Sequence, residues 1–215
     1  MKDRLCARMA GTLGVILLCG LLLAGCARTA PVSYYQMAAL ETGRKAPVTA
    51  EGGRMVIGIG PVKLPEYLDR PQIITRLTAN RLQLSDSYRW AEPLSENIPR
   101  VLGENLSALL GTDHILQHPW PSSRTIDCQL IVEVLHFENE SDGAARLVVR
   151  WSLKGRDGGI VLSERRSSYR IPATAHDQEG LVAALNEALG SFCREIAQEL
   201  TSFPKTTGSS VRLVR

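Results

Sequence analysis

Five thiols and four imidazoles are the chemically distinctive side chains of this sequence, and their spacing decides what they can do. His114 and His118 stand four apart with Asp113 beside the first, the separation at which two helical side chains share a zinc ion. Their context, TDHILQHPWP, reads instead as a strand stopped by prolines. Residues four apart on a strand share a face but stand about 13 Å from each other, too far for one ion. His136 and His176 are isolated and read as surface residues. Gly58 and Gly60 of IGIGP lack the Lys-Ser or third glycine that a phosphate loop needs. No Gly-x-Ser-x-Gly elbow occurs and no cysteine is framed by a histidine, so no catalysis, metal or cofactor is expected.

Cys26 stands in a different setting. Lys2, Arg4 and Arg8 precede the apolar run TLGVILLCGLLLAG, which is shorter than the roughly 20 residues a membrane-spanning helix requires. The run ends in LAGC, Leu23 to Cys26, which resembles the bacterial lipobox. There the small residues admit an extended backbone to the signal peptidase, and the cysteine sulfur carries diacylglycerol. Residues 1–25 are therefore expected to be an export signal, Cys26 the acylated N-terminus and residues 26–32 a tether. At about 0.8 kcal/mol per buried methylene, several acyl chains make such an anchor effectively permanent. Ala27, rather than Asp, follows the cysteine, which by resemblance to the enterobacterial sorting rule favours the outer membrane.

Removing the signal takes away Lys2, Arg4 and Arg8 against Asp3, so the net charge of +3 falls to about +1. That balance gives no reason to expect nucleic acid as a partner. Roughly 190 residues remain, enough for one well-packed domain. Cys6 and Cys19 leave with the signal, while Cys128 and Cys193 stay in a compartment where disulfides persist. They are either bonded, which contributes on the order of 4 kcal/mol by the chain-entropy model, or two buried free thiols.

The elements that position these residues follow from periodicity. YYQM and MVIGIGPVKL read as strands separated by a polar loop rich in Gly and Pro, and IITRLTANRLQLSD as two strands around TAN. YRWAEPL leads into a helix that Ser95 or Asn97 caps, with Pro99 in its first turn. Ile98, Val101, Leu102, Leu106, Leu109 and Leu110 mark its buried face, and Gly111 ends it. From Ile126 the period becomes two, and three strands follow as an antiparallel meander. Leu147, Val149, Trp151 and Leu153 face its dry side and Arg146, Arg150 and Lys154 the other. That basic stripe, with Arg165 and Arg166 on the next strand, either meets phospholipid headgroups or an acidic partner, or is a solvated sheet face. A last helix carries Leu181, Leu185, Ala188, Leu189, Phe192, Ile196 and Leu200 on one stripe, which the dry face must cover. The expectation is one α+β domain over residues 33–203, a mainly antiparallel sheet packed by two long amphipathic helices, with a frayed tail at 204–215.

LPEYLDRPQ, at residues 64–72, has no periodicity, yet its chemistry is specific. Two prolines bracket an aromatic, an aliphatic and two opposite charges, and proline restricts the unfolded chain so that the segment orders cheaply. Tyr67, Leu68, Asp69, Arg70 and Gln72 are thus either a docking loop or a structural corner at the end of the sheet. The order of a lipobox cysteine, YYQM, IGIGPVKLPEYLDRPQIITR and RLQLSDSYRWAEPLSENIPRVLGENLSALLG resembles the PqiC/YmbA family of ABC-type transport auxiliary lipoproteins. The resemblance implies a periplasmic subunit, tethered to the outer membrane and without catalysis, that bridges to an MCE-domain protein (PqiB-like) anchored in the inner membrane. It implies no partner count, although a ring-forming MCE partner fits a homo-oligomer. The competing reading is a stand-alone lipid-binding lipoprotein with a groove between the long helix and the sheet.

Overall fold

A computed structural model of the chain describes residues 31–40, 55–175 and 177–202. The signal segment, Cys26, the loop at 41–54, His176 and the tail at 204–215 lie outside the described residues. From Val32 onward the described chain forms one unit. Its elements are β1 (Ser33–Tyr35), β2 (Ile57–Lys63), β3 (Gln72–Thr78), β4 (Arg81–Trp90), α1 (Leu94–Leu110), β5 (Ile115–Gln117), β6 (Cys128–Glu140), β7 (Ala144–Gly155), β8 (Ile160–Pro172) and α2 (Gln178–Ser202).

The sheet is mixed, which corrects the expectation of a mainly antiparallel one. Among the described residues four pairings are parallel (β1–β4, β2–β5, β2–β6, β3–β6) and three antiparallel (β3–β4, β6–β7, β7–β8). The meander β6–β7–β8 is antiparallel, with tight turns at Gly143 and Gly158, whose φ of 82° and 78° glycine adopts without a Cβ penalty. The parallel pairings arise because β2 and β3 lie end to end along the other edge of β6. β2 pairs with residues 128–133 and β3 with Asn139 and Glu140. Alternation identifies the buried face of a strand but carries no direction, so it could not reveal this.

Both helices cover the dry face. Cys128, Leu130, Val132 and Val134 of β6 are buried with Leu147, Val149, Trp151 and Leu153 of β7. The β6 register shifts between Val134 and His136, so Phe137 takes up the inward alternation and His136 and Glu138 point to the opposite side. On α2, Phe192 meets Trp151 edge-on at 5.8 Å. The Trp151 indole donates to the Ser167 hydroxyl, which donates to Glu195 (3.0 Å each). Arg165 lies on this helix side, paired with Glu199 and placed over the Trp151 ring, and does not extend the outer basic stripe.

α1 begins earlier than expected. Pro93 is its cap, making no side-chain bond, and the Pro93 carbonyl accepts the N–H groups of Glu96 and Asn97. Pro99 therefore falls in the second turn, where its missing N–H removes one helical bond. Ile98, Val101, Leu102 and Leu106 are buried, Leu109 and Leu110 half-buried, and Gly111 closes the helix in the left-handed conformation (φ 64°).

Residues 36–40 form a strap after β1. Met37 is buried in the core. The Leu40 N–H donates to Asn105 Oδ1 on α1 at 2.7 Å, and the Ala38 N–H to Asn186 Oδ1 on α2 at 3.3 Å. Leu40 lies over Gly190, where a Cβ would stand 2.5 Å from its Cδ2.

Candidate functional site

The segment LPEYLDRPQ occupies the place where β2 gives way to β3 along β6. No strand pairs with β6 over residues 134–138 on that edge, so backbone and side chains there need other partners. The prolines close the segment through their carbonyls: Pro65 accepts the Leu68 N–H (2.9 Å) and Pro71 the Trp90 N–H (2.6 Å).

Two of the five singled-out side chains turn inward. Leu68 is 1% exposed and sits in a cluster with Ile73, Trp90, Leu94, Phe137 and Leu185. The Tyr67 hydroxyl donates to Glu138 Oε2 at 2.9 Å and lies 3.2 Å from the Leu135 carbonyl. Gln72 opens β3 and pairs in register with Arg89. Only Asp69 is exposed, with Arg70 half-buried beside it.

Glu138 is the centre of this corner, and sequence reasoning missed it. Its side chain is fully buried. It accepts hydrogen bonds from Arg76 Nε, Tyr67 and the Phe137 N–H, and the His136 Nδ1 lies 3.0 Å from its Oε1. Burial alone raises a carboxyl pKa, but the bonds from Arg76, His136 and Tyr67 outweigh it and hold Glu138 below the usual range. Burial beside that carboxylate pushes the Tyr67 phenol up to about 12. Arg76 also stacks over the Tyr67 ring at 5.8 Å. The available signal was a carboxylate inside the strand run LHFENE, followed by Asn139, where alternation breaks down.

Arg146 pairs with Glu140 (3.5 Å), and Arg150 with Glu133 (3.3 Å) and Glu164 (3.9 Å), so carboxylates of the same sheet offset most of the outer stripe. Lys154 stands beside Gln129 in register. Cys128 and Cys193 are both buried free thiols. Burial pushes them up to about 11 and 12 respectively, and Asn105 donates to the Cys193 sulfur at 3.6 Å. His114 and His118 flank β5, and His118 packs edge-on against Trp120. Among the described residues no helix is long and apolar enough to cross a membrane.

The helix-covered mixed sheet places the described chain in the α+β class. Residues 35–197 match the ABC-type transport auxiliary lipoprotein component, and the chain belongs to that family. It is similar to the intermembrane transport lipoprotein PqiC of Escherichia coli, 24% identical over 194 residues that cover 88% of this chain and 98% of that protein. The PqiC protein of Shigella flexneri matches to the same extent. The fold recurs in an uncharacterized protein of known crystal structure, with TM-score 0.65 and 20% identity over 79% of this chain and 99% of that one. A Xanthomonas campestris protein has TM-score 0.61 and 17% identity over 79% and 95%.

Proposed function

We propose that the protein is a non-catalytic docking subunit of an MCE-type intermembrane lipid transport system, anchored through Cys26 to the periplasmic face of the outer membrane. The observation that carries this reading is the end-to-end match to the intermembrane transport lipoprotein PqiC, which spans nearly all of that protein. The lipobox at Cys26 supports the anchor, and Ala27 the outer membrane. The partner is an MCE-domain protein (PqiB-like) held in the inner membrane, and a homo-oligomer of this subunit matches a ring-shaped partner.

Within the proline-bracketed segment the labour divides. Tyr67, Leu68 and Gln72 fix the corner, which leaves Asp69 and the edge of Arg70 as the part a partner reaches. A pre-ordered exposed charge on a fixed turn supplies register at little entropic cost. Cross-linking in membranes, affinity purification and mass spectrometry test the reading with the native protein, Cys26→Ala and Asp69→Lys. Recovery of an MCE-domain protein with the native chain, reduced by both substitutions, is the expected result. Absence of any MCE-domain protein from the native sample sinks the bridging function, and full recovery with Asp69→Lys moves the contact elsewhere.

A further inference from the structure

A groove of about 490 Å³ opens on the outward side of the corner, lined by Asp69, Arg70 and Pro71, by Arg89 and Trp90 at the end of β4, and by Tyr34 of β1. Its volume is in the range of small-molecule sites. Eight arginines are half-buried among the described residues. Six of them, at 76, 100, 146, 150, 165 and 194, pair with carboxylates. The other two, Arg70 and Arg89, have no carboxylate partner, and both line this groove. The Nε atom of each is buried without a hydrogen-bond acceptor among the described residues. Buried donors are almost always satisfied, and two guanidinium groups without a carboxylate lining one groove leave their charge to be met by an acceptor brought from outside.

The surrounding charges limit that acceptor. Glu92 also lines the groove, but Arg100 and Gln36 engage its carboxylate, and the Arg100 bond helps hold it below the usual range. The Asp69 carboxylate stands at the exposed rim and opposes a second negative charge on the ligand. The start of α1, at Pro93 and Ser95, completes the lining, and its peptide dipoles favour an anion. Trp90, Pro71 and the 64%-exposed Tyr34 add apolar surface. Two guanidinium forks, one opposing rim charge and apolar walls fit an oxyanion of single charge carrying apolar groups.

We propose that this groove binds the phosphodiester of a phospholipid headgroup, with Arg70 and Arg89 holding the non-bridging oxygens. Guanidinium is suited to such bonds because its planar fork is pre-organised for phosphate. The proposal does not rest on the bridging function: a stand-alone lipoprotein could hold the same site, and the two experiments fail separately.

Calorimetric titration of the full-length protein in maltoside micelles tests it with four probes: dihexanoyl phosphatidylglycerol, dihexanoylglycerol, inorganic phosphate and decanoate. Saturable binding of the phosphatidylglycerol is expected, weakened about tenfold or more in Arg70→Gln and in Arg89→Gln, as loss of one charge-assisted bond implies. Asp69→Asn, on the exposed rim, is expected to tighten binding severalfold and to keep the native thermal midpoint, so it carries the test should an arginine variant fail to fold. Equal binding of dihexanoylglycerol would remove the phosphate from recognition. Inorganic phosphate or decanoate binding as tightly would reduce the groove to a general anion or carboxylate site, and unchanged affinity in the folded variants would overturn the arginine roles.

Discussion

Tyr67 shows how one hydroxyl can matter more than its exposure suggests. Removing it leaves Glu138 Oε2 with only the Phe137 N–H, inside the sheet. Tyr67→Phe is expected to cost about 2 kcal/mol, the scale of a hydrogen bond to a charged group, measured as a shift of the urea midpoint. Glu138→Gln keeps the shape but leaves the Arg76 charge without its counter-ion, and about 3–5 kcal/mol is expected for breaking a buried pair. Leu68→Ala belongs to the same corner by another mechanism, since it opens a cavity in a cluster that includes Trp90 and Phe137; about 2–5 kcal/mol is expected. Should Leu68→Ala unfold no more easily than the native chain, the segment is not the core plug its burial indicates. Composition marked this segment as special, but which side chains enter the core was not legible. A turn has no period to read, and the partner of Tyr67 lies 71 residues away.

Elements were more legible where one face is buried along an unbroken repeat. Cys128 to Val134 and Val149 to Leu153 alternate cleanly, and their strands stand where the pattern puts them. Legibility failed at breaks in the repeat. The register shift before His136 reverses the faces and delivers Phe137 to the core, while Ser85 accepts bonds from the Ser87 and Tyr88 N–H groups as β4 continues to Trp90, through residues that read as the approach to the helix. Pro99 misled the placement of the α1 start because proline is commonest in a first turn. The strap was not legible as such: Gln36 and Met37 read as the end of a strand, Ala39 and Leu40 have no pattern of their own, and Asn105 reads as an ordinary helix residue. Asn105→Ala leaves the Leu40 N–H without its acceptor and is expected to cost about 1–3 kcal/mol. Protease cleavage near residue 40 should quicken well beyond that of an exposed-site control such as Glu104→Ala; equal rates would mean that Met37, the Ala38 bond to Asn186 and the Leu40–Gly190 contact hold the strap without Asn105.

At the scale of the whole molecule, the mixed sheet and the buried carboxylate set the response to acid. The folded Glu138 carboxyl titrates below its unfolded value near 4.3. Its contribution is therefore complete above that value and lost as the pH falls through the folded one. Glu92, held low first by its bond from Arg100, and Asp127, held low against burial by the Val56 N–H and then by Arg156, act in the same direction from more exposed positions. Urea midpoints of the native protein are expected to be flat from pH 6 to 5 and to drop below about pH 4. In Glu138→Gln the drop should be shallower, and an identical pH profile would show that the corner is not the acid-sensitive part.

The strap has a mechanical meaning as well. A pull on the chain from its N-terminal side enters the fold at β1 and must then pass Met37, the Ala38 and Leu40 backbone bonds and the Leu40–Gly190 contact. Those attachments divide the load between both helices at the outset, so tension is spread through the body as shear instead of peeling it open from one end.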